Sequence, residues 1–80
     1  MAYIAPNEAS TRDFEPVEIL YDGGEGEWAV VRAATGVLGI RWNGSGDKPI
    51  GFPSSHGKPV WFIVPDQIAA AVAALALQCR

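Results

Sequence analysis

From Ile68 to Leu77 no side chain is polar, and six of these residues are alanine, the best helix former. Pro65 and Asp66 stand just ahead of the run. Proline suits the first turn of a helix, and an aspartate there accepts a hydrogen bond from the exposed N–H groups. The sequence therefore predicts a C-terminal helix opening at Pro65 or Asp66. The run is too short for a membrane span, which takes about 20 apolar residues, and its length suits a core helix. Ile68, Val72, Leu75 and Cys79 repeat at the spacing of one helical face, yet Ala69, Ala73, Ala76 and Leu77 make the other faces apolar too. A helix apolar all round needs cover on more than one side, and a small sheet covers one. The expectation is a homodimer with Ile68, Val72, Leu75 and Leu77 at the interface. The plainer alternative is an alanine-rich helix that tolerates water.

Upstream, the pattern is that of strands. Val17, Ile19 and Tyr21 alternate with Glu18, Leu20 and Asp22, the period of a strand with one wetter face, and the glycine-rich run from Asp22 to Gly26 ends it as a turn. Trp28–Arg32 and Val37–Trp42 are β-favouring runs separated by a short connection and are expected to pair as a hairpin. Val60–Val64 reads as a fourth strand, apolar on both faces, which places it inside the sheet or under a partner. The fold class expected is α+β: a small antiparallel sheet of about four strands packed on one C-terminal helix. Residues 1–16 show no sustained apolar period and read as a loosely ordered arm with Tyr3 and Ile4 docked, leaving 17–80 as a single domain.

A chain of 80 residues builds one core, and its 49% apolar content is that of a globular domain. Small domains bury little surface relative to the entropy they lose, and many recruit a staple. With one cysteine, Cys79, and one histidine, His56, neither an internal disulfide nor a structural zinc is expected, which leaves self-association. No basic start followed by an apolar stretch marks an export signal, so the expected location is cytoplasmic.

Charge is uneven. Residues 1–27 hold seven acids against Arg12, a net of −6, whereas residues 28–80 hold five bases against Asp47 and Asp66, a net of +3; together they give −3. Phosphate attraction supplies most non-specific nucleic-acid affinity, so an acidic chain makes nucleic acid an unlikely partner.

Between Trp42 and Pro59 lies a connection longer than most unstructured loops. Pro49, Pro53 and Pro59 fix three φ angles, and Ile50 and Phe52 offer apolar anchors, so an ordered excursion is expected. The stretch Leu38–Pro65 resembles small uncharacterised bacterial proteins that carry an RWNG segment, a proline-rich loop and a PxWFxVP segment. The resemblance implies a bacterial source and a shared fold, and it carries over no functional residue.

Arg41, Trp42, Lys48, Ser54, Ser55, His56 and Lys58 form the candidate binding set: basic groups and glycine amides for an anion, with Trp42 as a stacking face. Against it stands the reading that these charges keep a surface loop wet while Trp42 and Phe52 pack in the core. Gly44–Lys48 lacks phosphate-loop spacing and runs into Pro49 instead of a helix. Ser54 or Ser55 with His56 lacks a third group to orient the imidazole, and no catalytic residue, metal or cofactor is assigned. The leading expectation is a soluble non-enzymatic binding or accessory module acting as a homodimer, with a protein partner possible. The alternatives are a small enzyme acting on a phosphate-containing substrate through His56, and one half of a two-protein regulatory pair.

Overall fold

The computed structural model describes residues 6–11 and 14–79. The expected docking of Tyr3 and Ile4 lies outside the described residues. The fold is α+β: strands β1 (Pro16–Asp22), β2 (Trp28–Ala33), β3 (Leu38–Trp42) and β6 (Phe62–Ile63) form an antiparallel sheet in the order β1-β2-β3-β6, followed by helix α1 (Asp66–Gln78). The excursion between β3 and β6 carries a second, two-stranded sheet, β4 (Ser54–Ser55) with β5 (Lys58–Pro59).

The β2–β3 hairpin pairs Trp28 with Trp42 and Arg32 with Leu38. Successive side chains of β2 point to opposite faces, and Val30 and Val31 are both fully buried, so both sides of the sheet are covered. On one side Ala69, Val72, Ala73 and Ala76 of α1 pack with Leu20, Val30, Leu38 and Val64. Those helix residues recur at i, i+3, i+4 and i+7, one stripe, and their small size lets the helix sit close to the sheet. Val72, expected at an interface between copies, is thus part of the intramolecular core stripe.

The other side is covered by the N-terminal segment, which corrects the expectation of a loose arm wherever that segment is described. Ala9 and Phe14 are buried with Val31, Ala33 and Trp61. The rings of Phe14 and Trp61 stack with centroids 5.2 Å apart, and the Trp61 indole N–H donates to the Ala9 carbonyl. Gly39 makes this possible: a Cβ there would lie 2.6 Å from Phe14 Cζ, so the Phe14 ring occupies the space a side chain would need. Periodicity misses the segment because its buried residues are spaced irregularly.

Two further expectations change. In β1 the buried residue is Leu20, on the face assigned to water, while Val17 and Ile19 are exposed. Register shifts between Pro16 and Glu18 and between Ile19 and Tyr21 break the alternation that the reading assumed. The fourth strand is not inside the sheet. Only Phe62 and Ile63 pair with β3, at the sheet edge, where both are exposed, while Trp61 and Val64 carry the burial.

Candidate functional site

Side chains of β3 alternate, and the alternation decides what happens to the two residues heading the candidate set. Leu38, Ile40 and Trp42 share the helix-side face; Gly39 and Arg41 point to the other. Arg41 is 3% exposed. Its Nε donates to the Val60 carbonyl at 3.0 Å, and its Nη2 donates to the carbonyls of Pro53, at 3.1 Å, and Ile50. The guanidinium lies 5.6 Å from the Trp61 ring centroid, a cation–π distance. Burial lowers its pKa from the ordinary arginine value. Arg41 therefore clamps the excursion from inside and is not a surface anion receptor. Its Nη1 is buried without an acceptor.

The clamp orders the loop that follows. Trp42 and Phe52 exchange backbone hydrogen bonds at 2.7 and 3.0 Å, and Ser45 and Lys48 exchange another pair, both at 3.0 Å. Asn43 is buried, and its amide donates to Asp22 Oδ1 and the Gly24 carbonyl, both at 2.8 Å, which ties the excursion to the β1–β2 turn. The β4–β5 turn places His56 and Gly57 at φ 52° and 76°, the positive angles of a tight two-residue hairpin turn.

The predicted binding residues divide into two groups. Lys48 and Ser54 line a depression of about 290 Å³ together with Trp42, Asn43, Ser45 and Phe52. Ser55, His56 and Lys58 line a different one, with Ser10 and Thr11, and among the described residues no carboxylate lines it. Arg41 joins neither.

Sequence reasoning missed a cavity of about 420 Å³ lined by Trp28, Ile40, Trp42, Phe52, Pro53 and Phe62, with Arg41 in its wall. Its lining is almost wholly apolar. Trp42, Phe52 and Phe62 are 52%, 66% and 57% exposed, so Trp42 and Phe52 are not core residues. No protein-family model, curated protein or solved structure matches the chain. The strand register builds the cavity: Trp28 pairs with Trp42 and Ile40 with Phe62, which puts four apolar side chains on one face of three neighbouring strands.

The remaining exposed apolar groups lie elsewhere. On α1, Ile68 and Leu75 are 50% and 59% exposed, and at two turns apart they share a flank. Leu77, also exposed, falls on the opposite flank. Among the described residues no helix is long and apolar enough to cross a membrane.

Proposed function

We propose that the protein is a small non-enzymatic binding module whose contact surface is the aromatic cavity on the helix-side face of the sheet. The observation that carries this reading is the exposure of Trp42, Phe52 and Phe62 around one apolar cavity. A fully buried aromatic covers about 150–250 Å², so these three leave roughly 350 Å² of ring surface in water. That is the size of the largest apolar patch on a typical monomer, roughly 300–600 Å², and such patches are often functional. Covering it yields about 9 kcal/mol in gross transfer free energy, most of it offset by the cost of association, so the affinity belongs in the micromolar-to-millimolar range.

The test is an amide NMR titration with octanol. Saturable shifts centred on Ile40, Trp42, Phe52 and Phe62 are expected, and Phe62→Ser should weaken them while leaving the midpoint of urea unfolding nearly unchanged. Shifts that do not saturate, or that centre on the Ser55–Lys58 hairpin, would overturn the reading.

A second reading, self-association through α1, rests on the shared exposed flank of Ile68 and Leu75. Sedimentation equilibrium across concentration should then show a dimer that Leu75→Glu dissociates, and a monomer at every concentration removes it. The His56 enzyme has weaker support, because His56 sits exposed at a turn tip and among the described residues no carboxylate lines its depression.

A further inference from the structure

Resting on the cavity reading, we propose that its ligand is a small amphipathic anion, an apolar body carrying a carboxylate or similar head, with the body in the aromatic cavity and the head over the Lys48 depression. The two hollows are neighbours because Trp42 and Phe52 line both. One side of that aromatic divide is apolar. The other offers Lys48 with the hydroxyls of Ser45 and Ser54; Asn43 lines it too, with its amide already donating to Asp22 and Gly24. A molecule that crosses the divide must change polarity along its length.

The sign of the head follows from the ionisable groups in the walls. Among the described residues Lys48 is the one ionisable side chain lining the polar hollow, and Arg41, whose guanidinium turns away to the Trp61 face, is the one ionisable residue in the wall of the apolar hollow; both are basic. Arg41 donates to carbonyls alone, its Nη1 is buried without an acceptor, and among the described residues no carboxylate pairs with it or with Lys48. The guanidinium acts through the field of an uncompensated charge, since its side chain is directed to the Trp61 face; Lys48 is exposed and can meet the head directly. Asp22, which accepts from the Asn43 amide at 2.8 Å, lies beside the polar hollow, but neither it nor Glu27 or Asp47 lines either hollow.

Size favours a small molecule over a protein. A volume of about 420 Å³ lies within the roughly 300–1,000 Å³ of small-molecule sites. The roughly 350 Å² of exposed ring surface is less than half of the about 800 Å² that each partner contributes to a standard protein interface.

The experiment uses one apolar body with three heads: octanoate, octanol and octylammonium, each titrated below its micelle concentration and followed by amide shifts. Octanoate should bind tightest and octylammonium weakest. Lys48→Met should weaken octanoate about fivefold, the upper range for an exposed ion pair, and leave octanol unchanged. Added salt should weaken octanoate alone. Phe62→Ala, which touches only the apolar cavity, should weaken all three. Equal affinity for octanoate and octanol, or no response of octanoate to Lys48→Met, overturns the anionic head while the apolar cavity stands. Tightest binding by octylammonium overturns it in favour of a cation held by the rings. No saturable binding by any probe, or indifference to Phe62→Ala, takes down the cavity reading itself.

Discussion

Replacing Arg41 separates a structural clamp from a ligand contact. The side chain holds three backbone carbonyls, those of Ile50, Pro53 and Val60, which are spread over the excursion and would otherwise be joined to β3 mainly through the Trp42–Phe52 pair. Hydrogen bonds from a charged donor contribute about 1.5–3 kcal/mol each. The lower figure applies less than fully here, because residues 50, 53 and 60 are only half-buried and water can reach part of what Arg41 releases. Allowing about 1 kcal/mol per carbonyl, Arg41→Leu should cost about 3 kcal/mol, a large share of the roughly 4–12 kcal/mol expected for a domain of this length. At a urea slope of about 1 kcal/mol/M the midpoint should fall by about 3 M. Arg41→Lys should recover only part of this, since an ammonium lacks the planar fork that spans separated acceptors. Native-state hydrogen exchange should show the Phe52 and Val60 amides opening while the β2–β3 amides stay protected by the helix-side core. An Arg41→Leu chain within about 0.5 kcal/mol of the parent would refute the clamp, and loss of octanoate binding without loss of stability would return Arg41 to the surface role that its sequence position suggested.

Three further outcomes follow from the packing. Gly39→Ala should destabilise by about 1–3 kcal/mol in urea unfolding, because the new methyl meets both Phe14, at 2.6 and 2.9 Å, and Trp61, at 3.1 Å; Phe14→Leu in the same chain should restore part of the loss. Asn43→Ala removes donors to Asp22 Oδ1 and the Gly24 carbonyl and should cost about 1–3 kcal/mol, with faster exchange of the Gly26 amide, which donates to Gly44. In the β4–β5 turn, Gly57→Ala should cost about 1 kcal/mol at φ 76°, whereas His56→Asn, a residue better suited to φ 52°, should hold or slightly raise the thermal midpoint; a loss on His56→Asn would show that the imidazole makes a contact of its own.

Some of the chain was legible because the information is local. The C-terminal helix follows from alanine propensity and opens at Asp66, although Pro65 stands just before its first turn and no side-chain hydrogen bond caps it, and the β2–β3 hairpin follows from two β-favouring runs across a short connection. Three prolines and two apolar anchors announced an ordered excursion, and the structure gives it a hairpin, two exchanged pairs of backbone bonds and an internal clamp.

What only the tertiary structure decided are the choices between two sides. Arg41 and Trp42 are neighbours of opposite fate: a residue is buried or exposed according to which face of β3 it occupies and what covers that face, and neither is written in the dipeptide. Phe14 enters the core only because Gly39, distant in the chain, leaves a hole the size of a ring, and Leu20 turns inward because β1 changes register beside it. The aromatic cavity is of the same kind. Its walls come from β2, β3, the excursion and β6, and its opening exists because α1 covers the Leu20–Leu38–Val64 part of the sheet and leaves Trp42 and Phe62 exposed beside a half-buried Trp28. Propensity and period act over a few residues, whereas cover is a contest among distant segments for the same face. The chain by itself therefore determined its elements, and packing determined which of its aromatic and basic side chains were left to meet a ligand.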